Sequence, residues 1–502
     1  MRWVATLGFC LSLALLLGSQ QSDARQDQSR AQYAAELRQL RDQLAAPATL
    51  GDADMVVILG QRTLTEAARQ LVGLEVKLAS GAMLRLTSVA IEMKPAAALV
   101  QFGVQASPPT SGPAALNLRV TGRLMCGEVS GASLRLPFQL TEVTLGSGEQ
   151  PSPLLRNLFG DWLSPERWNA ALPPLEVPLE LSDVMEIPAG RFDVEGTIPM
   201  EITTPAYQVR MNFSVTSLIF LDGRAVMTLR LAPVPAVTGQ AATLSGKPES
   251  NPAPATRVNE SEVAALEAEV AQLSQQLKSD GDLRLRLHRR VINSLLTQIA
   301  TARNTDLTVR LKPARLRSEE VTGLIRTTNY TEIEGGDGEA DIRSLAIERI
   351  AGDKLDLRLT AEGSLKARLR GREYSIPYRL SPTGTFAIKD KVVPLEVVGE
   401  GDRVWLRAAP GAQIPVEVGL ELEIARRSVG LSHTVMVQAD RWFNRLALPL
   451  LVSRELQIPR KIEAGSGGIR VVSSAAFRYS LSGLRVKAHD DAIDIISDIS
   501  PR

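Results

Sequence analysis

The sequence predicts an α+β, mostly β protein: two duplicated modules of curved antiparallel sheet wrapped on an amphipathic helix, plus short heptad helices. Three observations predict it. Apolar and polar residues alternate through run after run separated by Gly and Pro, which gives sheets with one dry face and one wet face. The order helix, strands, later helix, more strand occurs twice. Two further stretches repeat apolar residues at steps of three and four, as coiled-coil helices do.

The elements follow in order. Residues 1–24 read as an export signal: Arg2 gives a positive start, and Val4 to Gly18 is an apolar run too short for a membrane span. Ser22 and Ala24 place cleavage after Ala24; an uncleaved segment acting as an anchor is the alternative. Phe9 before Cys10 speaks against lipidation. Cleavage leaves Cys126 alone, so no intrachain disulfide forms, and its alternating apolar neighbours make it a small core residue. Residues 25–50 carry an amphipathic helix with Tyr33, Leu37, Leu40 and Leu44 on one seam, stopped by Pro47.

Residues 51–233 form the first β-rich module, and residues 234–258, rich in Pro, Ala, Ser and Thr, form a linker. Residues 259–281 hold a heptad helix with Val263, Leu266, Val270, Leu273 and Leu277 on its seam. Asn259 or Ser261 caps it, and Asp280-Gly281-Asp282 stops it. Residues 282–502 form the second module.

Aligning Met55 with Leu283 exposes the duplication. Val57 then falls on Leu285 and Leu59 on Leu287, as in a strand, while Leu64 falls on Ile292, Ala67 and Ala68 on Leu295 and Leu296, and Leu71 on Ile299. The second set traces one apolar helix face. Alternating strands follow in both modules. They include Leu84–Met93, Val100–Val104, Leu116–Val120 and Leu134–Leu140 in the first, and Leu307–Leu311, Ile342–Ile347, Leu355–Leu359 and Leu365–Leu369 in the second. Each module has a later helix, Leu154–Leu172 or Ala439–Val452, before a Pro-containing strand. No alternation of strands with long helices occurs, which excludes a doubly wound parallel sheet.

This order resembles the tubular lipid-binding (TULIP) superfamily, which includes bactericidal/permeability-increasing-like proteins and bacterial periplasmic relatives. The likeness rests on Gln61–Val72 and the helix leading into Ala171-Leu172-Pro173-Pro174-Leu175-Glu176-Val177-Pro178-Leu179, then on Arg289–Ala300 and Trp442–Ile458. It covers roughly Gly51–Pro233 and Asp282–Ile499. The resemblance implies a curved sheet around a long helix with an apolar groove for acyl chains. It transfers no site residue, because shape rather than a motif defines the family. The heptad helices and the missing disulfide depart from secreted animal members.

With 57 Lys+Arg against 56 Asp+Glu, the chain lacks the positive excess of a general nucleic-acid binder. With 3 His and 2 Cys it is poorly supplied for a zinc or iron–sulfur site. No catalytic residue and no cofactor is implied. His288, His433 and His489 lie far apart, Gly465-Ser466-Gly467-Gly468 reads as a turn, and Gly335-Gly336-Asp337-Gly338 as a flexible loop. Asp490, Asp491, Asp494 and Asp498 read as a solvated tail. Arg284 and Arg286 alternate with leucines and are expected on a wet face; that face is either solvated or touches anionic head groups at a membrane surface.

The function expected is a non-enzymatic, exported binder of lipid or another hydrophobic ligand in a bacterial envelope, periplasmic or beyond. Leu64, Leu71, Ile292, Leu295 and Ile299 are the expected apolar lining. The alternative is a structural or scaffolding envelope protein with filled β cores that forms an oligomer through its heptad helices.

Overall fold

A computed structural model describes residues 23–45, 53–77, 83–107, 115–126, 128–130, 133–136, 138–145, 175–178, 180–187, 189–194, 198–231, 260–301, 307–322, 325–351, 354–373, 376–401, 403–424, 427–442, 446–448, 455–465, 468–489 and 491–501. Residues 1–22 of the export signal, the linker and the helix expected over 154–172 lie outside these residues. The chain folds as a mostly β protein; among the described residues the strands fall into sheets of 13, 12 and 3 strands. The pairing of Glu75–Lys77 with Glu455–Gly465 is parallel, and the other pairings among the described residues are antiparallel.

The centre of the largest sheet is built from the first and last strands of both modules. Met55–Gly60 pairs antiparallel with Leu283–His288, Met55 opposite Leu287 and Leu59 opposite Leu283. Arg224–Leu231 flanks the first and Ala492–Pro501 flanks the second. Each flanking strand belongs to a hairpin with the long strand before it, Tyr207–Leu221 or Gly468–His489.

The contacts around this centre repeat in the alignment that sets Met55 on Leu283. Gly60 N–H donates to Asp282 O (2.8 Å), and His288 N–H donates to Asp54 O (3.0 Å). Asp54 Oδ2 accepts from Leu231 N–H (2.9 Å), and Asp282 Oδ2 accepts from Ile499 N–H (3.1 Å). Arg290 pairs with Asp54 (3.4 Å), and Arg62 clamps Asp282 through both carboxylate oxygens. Each helix therefore reaches across to the aspartate that opens the other module's first strand. Burial alone would raise the Asp282 carboxyl, but the bonds from Arg62 and Ile499 outweigh it and hold it below its usual value.

Beyond the centre the modules interleave. The first module's Glu75–Lys77 lies beside the second module's Glu455–Gly465 and carries Met83–Lys94, Ala97–Ser107, Leu116–Met125 and Phe138–Leu145 outward. Conversely, Gly190–Val194 and Met200–Thr204 join the 12-stranded sheet by pairing with Leu307–Leu311.

The second module carries the longest strands. Ile325–Ala351 runs for 27 residues and Lys354–Glu373 for 20. The two alternating runs expected over Leu355–Leu359 and Leu365–Leu369 are one strand. The glycine loop expected at Gly335–Gly338 is the middle of Ile325–Ala351, with a register shift between Ile333 and Gly335. A β-carbon at Gly336 would lie 2.5 Å from Lys366 O, and one at Gly338 2.5 Å from Ser364 O. These glycines let the neighbouring backbone approach where the sheet curls. Of the helix expected over Ala439–Val452, the described residues give helix at Ala439–Trp442 and a short strand at Leu446–Ala447.

The heptad helices are Asp23–Ala45 and Glu260–Leu273, the second prolonged by a 3-10 turn over Gln275–Leu277. Arg30 pairs with Glu260 (2.8 Å), Arg41 with Glu269 (3.6 Å), and Tyr33 Oη donates to Glu267 (2.8 Å). The pairs nearest the two ends, Arg30–Glu260 and Arg41–Glu269, rise together, so the helices run parallel. Leu37, Leu40, Leu44, Leu266, Val270 and Leu277 are buried against Val56, Ile58, Ile219, Leu221 and Val226 of the central sheet. Within one chain, these seams pack on each other and on the central sheet.

Replacing Leu40 by Ala should therefore lower the unfolding free energy by about 2–5 kcal/mol in a urea titration. The sedimentation mass should stay unchanged; a shift in association state would contradict the intramolecular pairing.

Candidate functional site: the apolar inner wall

The inner faces of the sheets share one continuous apolar core. From the central strands, Met55, Leu283, Leu285, Leu287, Ile493 and Ile495 point into it. Both core helices lie on this face. Gln61–Arg69 is fixed by Thr65 Oγ1 donating to Ile91 O (3.4 Å) and by Gln61 Oε1 accepting from Met93 N–H (3.0 Å). Arg289–Thr301 is fixed by Asn293, whose side chain exchanges two bonds with the Ile347 backbone, at 3.0 and 2.6 Å.

Leu64, Ile292, Leu295 and Ile299 sit on the buried faces of these helices. Leu71 lies in the turn beyond the first helix, which ends at Arg69 rather than Val72. The five are 1–5% exposed and belong to the same core. They pack the helices onto the sheets, at the end of each module nearest the centre.

Length mismatch defines the rest of the wall. A helix of 13 residues spans about 20 Å, while a strand of 27 residues spans about 90 Å. Helix Arg289–Thr301 is anchored at Ile347, near one end of Ile325–Ala351. The distal part of that lobe continues the apolar face through Leu365, Ala367, Leu369, Phe386 and Ile388, then through Ile414, Val416, Val418 and Leu420. All are buried. Their outward neighbours are charged and paired across strands, as in Arg370–Glu332 (2.6 Å) and Lys389–Glu417 (2.6 Å). The lobe is thus a curled sheet, aliphatic within and ionic without, with its helix confined to the end near the centre. Sequence reading placed the lining on the helices and missed this distal wall. The signal was present in the alternation of Leu365–Leu369 and in Ile414–Leu420, but strand length was not.

The polar groups singled out in the sequence lie elsewhere. Arg284 and Arg286 are expected on a wet face; they are only 12% and 30% exposed, on the outer face of the central sheet. Both clamp Asp494, itself 1% exposed: Arg284 Nη2 at 2.6 Å, Arg286 Nε at 2.8 Å and Nη2 at 3.0 Å. His489 Nε2 adds a contact at 3.0 Å. The solvated tail expected at the C-terminus is therefore corrected. Ala492–Pro501 is a central strand, its Ile493, Ile495 and Ile499 facing the core and its Asp494 neutralised by arginines. Burial would raise the Asp494 carboxyl, but the hydrogen bonds from Arg286 and Arg284 hold it below its ordinary value. His433 lies on Arg427–Gln438, far from this cluster in the sheet order. Cys126 donates its thiol to Ala96 O (3.2 Å), and burial pushes its pKa up to about 12. Among the described residues, no helix is long and apolar enough to cross a membrane. That statement does not bear on spanning by strands.

Comparison with known proteins gives little. No family model matches the chain, and no curated protein matches it. A crystal structure of lipopolysaccharide binding protein aligns at 10% sequence identity with a TM-score of 0.26, covering 89% of this chain and 99% of that chain. An overlap of that quality does not equate the two folds.

Two outcomes are expected here. Asp494→Asn leaves two buried guanidiniums without their counter-charge and should cost about 3–5 kcal/mol at neutral pH. Because the folded carboxyl titrates below the unfolded one, the clamp stabilises above roughly pH 4 and loses its effect as pH falls through the folded value. Denaturant titrations of wild type and variant should therefore converge in acid; a gap that persists would contradict the clamp. Cys126 should react with iodoacetamide only after denaturation, measured by mass spectrometry, since the thiolate is the nucleophile.

Proposed function

We propose that the protein is a non-enzymatic binder of lipid or another hydrophobic ligand, exported to a cell envelope. The observation that carries this reading is the distal wall of the second lobe. This aliphatic face is closed to water by the curl of its own sheet, while the short core helix lies at its other end. A hydrocarbon chain that parted the side chains of Leu365, Leu369, Ile388 and Val416 would exchange apolar contacts for apolar contacts. Each methylene moved out of water contributes about 0.8 kcal/mol, so a single acyl chain gives micromolar retention without any polar contact. Leu64, Ile292, Leu295 and Ile299 on the core helices, with Leu71 in the turn after the first, would close the inner end. Export is supported by the positive start and apolar run of residues 1–24.

Native mass spectrometry of protein purified without detergent, with solvent extraction, tests the reading. The expected result is an extractable hydrocarbon ligand. Its removal should lower Tm by several degrees and its return should restore it. Ala367→Leu, which narrows the lobe, should reduce ligand content. Absence of extractable hydrocarbon, together with no Tm response to added fatty acid or phospholipid, would point to a filled scaffold instead.

A further inference from the structure

A half-open cleft of about 240 Å³ lies on the outer face of the central sheet, opposite the apolar wall. Its floor is Val56 and Ile58, its edge is Gln276 and Leu277 of the 3-10 turn, and its remaining side is Arg284, Arg286 and His288. The three basic residues share this side because they alternate along one strand, Leu283–His288, whose leucines face the core.

Among the described residues, the charges here do not balance. Asp494 is the carboxylate that touches both guanidiniums, so one negative charge meets two positive ones. Other acids nearby are engaged: Asp54 pairs with Arg290 and Asp491 with Arg289. Arg284 Nη1 is taken by Gln276 O and Lys278 O, yet its buried Nε has no partner. Arg286 gives Nε and Nη2 to Asp494 and keeps Nη1. The field at His288 agrees: burial, then Arg290 and Arg286, hold the imidazole below its ordinary pKa despite Asp491 and Asp54. Guanidinium groups set at fixed angles suit tetrahedral oxyanions, because each offers parallel N–H donors. A volume of about 240 Å³ is equal to roughly eight waters and smaller than common drug-sized pockets. It suits a phosphoryl group with a short substituent.

We infer that this cleft binds a small phosphate-class oxyanion, held by Arg286 and His288 above the apolar floor of Val56 and Ile58. The anion is either free phosphate or the phosphomonoester of a lipid head group; both present the same oxygens. This site lies on the opposite face from the proposed hydrocarbon wall, so the two readings fail independently.

Isothermal titration calorimetry of the full chain at low ionic strength tests it, using inorganic phosphate, glycerol 3-phosphate, and bicelles with or without phosphatidic acid. Saturable one-to-one binding of at least one phosphate probe is expected. Response to the small anions assigns a free phosphate, and response confined to phosphatidic acid assigns a head group. Gln276→Glu puts a like charge at the exposed edge and should weaken binding about tenfold or more without touching the Asp494 clamp. His288→Ala should weaken it less. In an NMR titration the His288 imidazole pKa should rise when phosphate is added. No saturable binding by any probe, or binding indifferent to Gln276→Glu in a variant with wild-type Tm, would overturn the assignment.

Discussion

Everything in this molecule is hung on the antiparallel pairing of Met55–Gly60 with Leu283–His288. A parallel or shifted register would separate Asp54 from Arg290 and Asp282 from Arg62, and would turn the strands' core residues outward. With the register fixed, each module's last strand finds its edge, and both core helices start on the same face. The aspartates serve two purposes. Each one accepts the backbone N–H of the closing strand and pairs with the arginine of the opposite helix. Charge thus reinforces a register that hydrophobic alternation already favours.

The second constraint is length. A helix rises 1.5 Å per residue and a strand more than twice that, so a short helix cannot cover a long strand. Ile325–Ala351 extends far past Arg289–Thr301, and its sheet must therefore curl over its own inner face. Register shifts at Ile333/Gly335, Ile342/Ser344 and Ile347/Arg349 provide the bends, and small residues at Gly336 and Ala367 let the inner layers approach. The outer face keeps its strands in place through cross-strand ion pairs. These are mostly exposed and contribute little each, so the fold rests on the inner layer.

Much of this was legible from the residues. The alignment of Met55 with Leu283 identified the pair that meets at the centre, and alternation located most strands. What was not legible came from partners remote in sequence. Asp494 and Asp498 made Ala492–Pro501 look wet, because the two arginines that neutralise Asp494 lie some two hundred residues earlier. The same pairing hid the burial of Arg284 and Arg286. Gly335–Gly338 reads as a loop by composition, yet a central strand needs those glycines where Lys366 and Ser364 crowd it. The heptad seams announced helices but not their partner. A seam of leucines has the same pattern whether it meets a second chain, a second helix or a sheet.

The two halves of the central sheet then explain each other. Met55–Gly60 is apolar on both faces, as only a strand covered on both sides can be; its outer residues, Val56 and Ile58, lie under the helix pair. Leu283–His288 is apolar only inward, because the helical cover ends at Leu277, just before it. The two strands match in pattern on the inner side, and only one of them is shielded on the outer side. Arginines hold the outer positions of the other, against Asp494 of its neighbour. The balance is incomplete by one charge, and the place where the apolar cover stops is also where the cleft opens.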